Sequence, residues 1–173
     1  MKKIFIDFGH NCIPDTGAVG IKREDDLNRE TAFILAQKLK TAGYEVLVFT
    51  PSKVFSVENS LHLRCKQSDL WGADLFVSIH HNSFNSKAYG AECFAISQTG
   101  RKFAKKIQSR LTNLGFYDRG VKDGSHLFVL RKTQAPAVLV ESFFVDSKKD
   151  CDLFETLGTK RIAEAIYEGI HLT

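Results

Sequence analysis

Two histidines and a glutamate stand at the carboxyl ends of three separate apolar runs. Lys3-Ile4-Phe5-Ile6-Asp7-Phe8-Gly9 leads to His10, Asp74-Leu75-Phe76-Val77-Ser78-Ile79 to His80, and Ala137-Val138-Leu139-Val140 to Glu141. Runs of this length and composition read as buried strands. In an open α/β sheet, ligands and chemistry collect beyond the carboxyl ends of the strands. Two imidazoles and a carboxylate brought to one rim point to a hydrolytic metal site. Zinc in hydrolases is commonly held by three protein ligands, and two histidines with a glutamate are one of the standard sets.

His10 and His80 supply two ligands, and the third should be a carboxylate on an element that reaches the same rim. The acids Glu24, Asp25 and Asp26 follow the glycine-containing loop that leaves the His10 strand. Acids at a helix start also complement its dipole, worth about 0.3–1 kcal/mol each. The residues alone leave open which of the three turns to the rim. Cys12, two residues after His10, is a further sulfur candidate. His81 points to the opposite side of its strand from His80 while the strand persists, so the two do not share one ion. His62, His126 and His171 lie off the rim, although the loop at His126 could bring that ring near. Glu141 differs in kind, because it ends a buried run beside Phe143 and Phe144. Desolvation raises a carboxyl pKa and a nearby cation lowers it. Such a group suits general-base and then general-acid work, and its structural alternative is a buried ion pair.

The elements that must position these groups alternate, strand with helix, which predicts an α/β layer architecture. A helix is expected over 24–41, ended by Gly43, then a strand over 45–49, a helix over 57–70 and the His80 strand. A strand over 91–97, a helix over 99–114, two short strands over 127–130 and 137–142, and a helix over 157–171 complete the chain. The expectation is a single domain, 1–173, with about six strands in a mostly parallel or mixed sheet, flanked by helices on both faces.

At 173 residues the chain is long enough to bury a full core, and its net charge of +4 is mild. No dense Lys/Arg stripe or reading motif marks a nucleic-acid binder, and no apolar stretch approaches the roughly 18 residues of a membrane span. Cys12, Cys65, Cys93 and Cys151 form no C-x-x-C pair and read as reduced thiols. After Met1-Lys2-Lys3 only three apolar residues precede Asp7, too few for a signal peptide. The chain as given is therefore expected to stay cytoplasmic until something releases it.

Taken together, the motifs resemble the zinc-dependent N-acetylmuramoyl-L-alanine amidases of the amidase-3 family, over nearly the whole chain. The matching motifs are Asp7-Phe8-Gly9-His10, Glu24 with Asn28, Ser78-Ile79-His80-His81-Asn82, and Pro136 to Glu141. The turn Arg119-Gly120-Val121-Lys122 and the run Leu127 to Leu130 are also similar. The stretch Val138 to Asp146 looks especially like the catalytic domains of bacteriophage endolysins. The resemblance selects Glu24 from the acidic run and implies one zinc ion on His10, Glu24 and His80. It implies Glu141 as the catalytic acid/base, with Asn82 as a polar neighbour at the substrate. The implied reaction cleaves the amide between the lactyl group of muramic acid and L-alanine of the peptidoglycan stem. The alternatives are a zinc peptidase or deacylase on another wall amide, or a host wall-remodelling amidase instead of a phage lysin. The implied partners are peptidoglycan and, for release, a holin, with the chain acting as a monomer without a separate wall-binding domain. The chain departs from the family in Asn11, where glycine is frequent, and in His81, where alanine is common.

Overall fold

The apolar runs pair as the alternation requires. In the computed structural model, which describes residues 2–171, the order is β1 (Lys3–Phe8), α1 (Glu24–Thr41), β2 (Glu45–Phe49), α2 (Val57–Trp71), β3 (Leu75–Asn82) and β4 (Ala91–Ala95). It continues with α3 (Gln98–Asn113), β5 (Asp118–Asp123), α4 (Phe128–Lys132), β6 (Ala137–Phe144) and α5 (Lys148–His171). The strands form one sheet in the order β2-β1-β3-β6-β4-β5. All neighbouring pairs are parallel except β4 with β6. The central strands β1, β3 and β6 are almost wholly buried, as strands covered on both faces must be.

Strand alternation divides the core in two. Ile4, Ile6, Val77, Ile79, Val138 and Val140 face a large cluster with α1, α3 and α5. Phe5, Phe76, Ala137 and Leu139 face a smaller one under α2 and α4. In the large cluster Phe143 lies between Phe116 and Phe154, with ring centroids 5.5 and 5.1 Å away. Helices α3 and α5 approach closely at Gly169, where a Cβ would come 2.7 Å from the Ile107 Cα. Helix ends follow local chemistry: the Ser56 and Ser97 hydroxyls cap α2 and α3, and Gly72, at φ +71°, ends α2. The four cysteines are buried free thiols. No helix among the described residues is long and apolar enough to cross a membrane.

Two expectations are corrected. The run Leu127 to Leu130 is not a strand; it enters the short helix α4, which sets Val129 and Leu130 against the sheet. Four apolar residues fit a buried helical turn as well as a strand, and packing decides between them. The missing strand is β5, Asp-Arg-Gly-Val-Lys-Asp, which pairs only with β4 at the sheet edge. A charged edge strand guards against further pairing and carries no apolar alternation to reveal it. Boundaries also shift: β3 extends through His81 to Asn82, and α5 begins at Lys148 and kinks at Gly158.

Candidate metal centre

His10, Glu24 and His80 converge. One ligand atom from each lies within 4.8 Å of the other two, the single such group of three or more His, Cys, Asp or Glu donors among the described residues. Glu24 Oε1 is 3.0 Å from His80 Nδ1 and 3.5 Å from His10 Nε2. Ligand atoms on a tetrahedral zinc stand about 3.3 Å apart, given metal–ligand distances of about 2.0–2.1 Å. Two neutral-nitrogen donors and one carboxylate at these separations fit a single zinc ion. Neither Cys12 nor His81 belongs to the group: Cys12 Sγ contacts the Ser60 hydroxyl at 3.4 Å, and His81 points away.

Each ligand is held from behind. His10 follows β1 in a left-handed turn, with φ +59° at His10 and +62° at Asn11. Such backbone is costly for residues other than glycine and persists only where the surroundings enforce it. Arg64 of α2 is the enforcer. Its guanidinium, 1% exposed, pairs with Asp7 at 2.5 Å and donates to the carbonyls of Phe8 and His10. It also reaches Asp15 at 3.4 Å and the Thr50 hydroxyl at 3.1 Å. Asp15 Oδ1 lies 2.7 Å from His10 Nδ1, and Asp15 Oδ2 accepts from the Ser60 hydroxyl at 2.6 Å. An Nδ1–H donated to this carboxylate leaves the Nε2 lone pair for the metal, the usual arrangement behind a zinc-bound histidine.

Substituting Asp15→Asn removes that charge and leaves the three ligands in place. We expect zinc affinity to fall by roughly 10- to 100-fold, measured by chelator competition.

The acidic run divides its labour. Glu24 is buried, with Oε2 accepting from the Ala18 N–H at 2.9 Å. Asp25 Oδ1 accepts from the N–H groups of Asn11 and Gly17 and so shapes the loop. Asp26 is exposed and pairs with Arg29. Burial alone would raise the Glu24 carboxyl. The His80 hydrogen bond, the charges of His80 and His10 and the Ala18 N–H outweigh it and hold the group down at about 2. Burial likewise opposes charge on His10, yet the Asp15 hydrogen bond and the carboxylates of Glu24, Asp15 and Asp25 raise its pKa. Protons and zinc compete for these nitrogens, so metal affinity falls with acidity.

The Glu24-to-Asn28 spacing has a structural reason. Asn28, one helical turn on and fully buried, donates to Glu24 Oε1 at 3.3 Å and to the Gly9 carbonyl at 3.2 Å. Its Oδ1 takes the Nδ1–H of His81 at 2.8 Å, and His81 packs edge-on to Phe143. Gly9 is required because a Cβ there would come 2.0 Å from the His80 ring.

His81 is buried and neutral, its pKa pushed by desolvation to about 3. An unfolded histidine titrates near 6.5, so between about pH 3 and 6.5 the unfolded chain binds the extra proton and stability falls as pH falls. The loss should reach roughly 2–3 kcal/mol by pH 4.5 from this group alone. Comparing urea unfolding at pH 7.5 and 4.5, His81→Ala is expected to show a shallower acid loss than wild type.

Glu141 lies directly across from His80 in the parallel β3–β6 pair, on the same face. The side chain is half-buried, and its Oε2 is sealed from solvent with no hydrogen-bond partner. Burial pushes the carboxyl well above the ordinary carboxylate range, helped by the charges of Glu24 and Glu92. Among the described residues no Lys or Arg lies within salt-bridge reach of it, and the nearby cations Arg119 and Lys122 pair with Glu92 instead, so the ion-pair alternative does not hold. Asn82, two residues beyond His80, donates to Glu92 Oε1 at 2.8 Å and accepts from the Ser83 N–H at 2.8 Å. A cavity of about 310 Å³ opens beside the ligands, lined by His10, His80, Arg64, Leu139, His126 and Phe128. Sequence reasoning missed Asp15 and Arg64. Asp15 sits in a loop without periodicity, and a charged residue on α2 reads as solvated until the fold buries it.

Comparison with known proteins agrees with this geometry. Residues 4–171 match the amidase-3 family model, described as N-acetylmuramoyl-L-alanine amidase. The catalytic domain of the CD27L endolysin targeting Clostridia difficile superposes with a TM-score of 0.91 at 30% identity, covering 100% of this chain and 98% of that one. The catalytic domain of the amidase CwlV from Bacillus (Paenibacillus) polymyxa var. colistinus gives 0.86 at 32% identity, covering 99% and 97%. A Bacillus anthracis protein called an uncharacterized cell wall amidase is 37% identical over 98% of this chain and 35% of its own length. The chain spans between 34% and 51% of the length of four of the curated relatives it matches. By the extent of the family match, the chain belongs to the amidase-3 family of N-acetylmuramoyl-L-alanine amidases.

Proposed function

We propose that this chain is a zinc-dependent peptidoglycan amidase, cutting the amide between the lactyl group of N-acetylmuramic acid and L-alanine of the stem peptide. The observation that carries the reading is the pairing of the His10–Glu24–His80 group with a Glu141 carboxyl that makes no ion pair, on the adjacent strand. Zinc, when bound, acidifies a water and polarises the scissile carbonyl. Glu141 takes the proton from the attacking water and passes it to the departing L-alanine nitrogen. A positioned carboxyl can serve first as base and then as acid in this way. Asn82, its carboxamide fixed by Glu92 and the Ser83 N–H, presents a remaining N–H for the substrate carbonyl side. Arg64 and Asp15 hold His10, and Asn28 holds Glu24.

Likeness to an endolysin catalytic domain supports the lysin form of the reading. In that form the chain is one catalytic domain acting as a monomer, held in the cytoplasm and released to the wall by a holin-type partner. Purified peptidoglycan digested with the protein should yield new amino-terminal L-alanine with the glycan strands intact. A different new terminus would reassign the substrate to a peptidase or deacylase, and no release from zinc-loaded protein would overturn the enzymatic reading.

A further inference from the structure

Three ionisable residues stand in one row across the sheet: His80 on β3, Glu141 opposite it on β6, and Glu92 opposite Glu141 on β4. Two are accounted for by the centre and its acid/base. Glu92 is not. It is 4% exposed, and both its oxygens are hydrogen-bonded. Oε1 takes the Asn82 carboxamide, while Oε2 takes Arg119 Nε at 2.6 Å and Lys122 Nζ at 2.5 Å. Both cations come from the edge strand β5, and two cations on one carboxylate leave one positive charge over.

Arg119 is fixed in more than one direction. Its guanidinium lies 4.9 Å over the Phe144 ring, and Nη1 reaches the Tyr89 carbonyl at 3.5 Å. The Nη2 edge makes no hydrogen bond among the described residues. A guanidinium held over an aromatic ring with one edge free is preorganised for a planar anion such as a carboxylate. Lys122 lies beside it, 5.8 Å from the Phe94 ring centroid. Neighbouring strands are about 4.8 Å apart, so this charge stands on the order of 10 Å from Glu141. A peptide chain covers that distance in roughly two to three residues.

Resting on the amidase reading, we infer that Arg119 and Lys122, anchored by Glu92, form a subsite for a carboxylate of the stem peptide on the leaving-amine side of the cut. The group in register is the carboxylate borne by the stem residue that follows L-alanine. Arg119 makes the contact through its free edge, and Glu92 is the positioning residue that aims it and ties the subsite to Asn82.

The test uses two synthetic muramoyl peptides that differ only at the residue after L-alanine, one with a free carboxylate and one with the carboxamide. Wild type is expected to cleave the carboxylate form with kcat/KM roughly tenfold or more higher, the discrimination lying mainly in KM. Arg119→Gln should bring the ratio of the two substrates close to one, and Lys122→Gln should reduce it. Because Lys122→Gln leaves the Arg119–Phe144 contact in place, it keeps the test open if Arg119→Gln fails to fold. Equal cleavage of both peptides by wild type would overturn the subsite and leave the amidase reading standing. A variant that slows both peptides by the same factor would make the cluster a tie between β4 and β5 only. Failure of zinc-loaded wild type to cut either would overturn the amidase reading itself.

Discussion

Replacing His10 or His80 with alanine is expected to remove zinc and turnover together. Each histidine supplies one of three donors, and two donors cannot hold the ion against water and buffer. The site is built around the metal, so its loss is also felt in stability. A ligand that binds only the folded state contributes about 4 kcal/mol when its free concentration is about 1,000 times Kd. Both variants should therefore contain little zinc, release no amino termini above background, and melt at the temperature of chelated wild type, unmoved by added zinc. A variant that kept stoichiometric zinc would remove that histidine from the ligand set.

Glu141→Gln should separate what those substitutions lose together. The amide is nearly isosteric and cannot exchange a proton with water. Zinc content is expected to stay near one per chain while kcat falls by roughly 10²- to 10⁴-fold, the usual loss when a positioned general acid/base is removed. Stability should move the other way. The carboxyl is held above its ordinary range by burial and by the charges of Glu24 and Glu92. A carboxyl whose folded pKa exceeds its unfolded value of about 4.3 destabilises the fold as pH rises above that value. Glu141→Gln relieves this cost, so the variant should be at least as stable as wild type at pH 7. Near-normal hydrolysis by this variant would remove Glu141 from the mechanism, whatever its zinc content.

The two effects locate what a sequence can reveal. His10, His80 and Glu141 were legible because each ends an apolar run, and parallel strands deliver their ends to one rim. Glu24 was not separable from Asp25 and Asp26 by pattern alone, since all three acids suit a helix start. In the fold their fates diverge within the first turn of α1, and only Glu24 is turned inward, by the Ala18 N–H and Asn28. The strand β5 was missed and a false one placed at Leu127 to Leu130 for a common reason. Local composition favours apolar residues as strands, while a polar edge strand is defined by its partner. The supports of the site were hidden in the same way. Arg64 and Asp15 are charged residues that the fold buries 57 and 5 positions from the groups they hold, Asp7 and His10. Nothing periodic marks contacts of that kind.

The most direct test follows the metal and the chemistry in one titration. Protein stripped with EDTA, dialysed free of chelator and returned zinc in steps should regain peptidoglycan amide cleavage linearly. Recovery should be complete at one zinc per chain, with L-alanine as the new amino terminus throughout. Full activity in the stripped protein, or recovery only well beyond one equivalent, would contradict a single catalytic zinc on His10, Glu24 and His80.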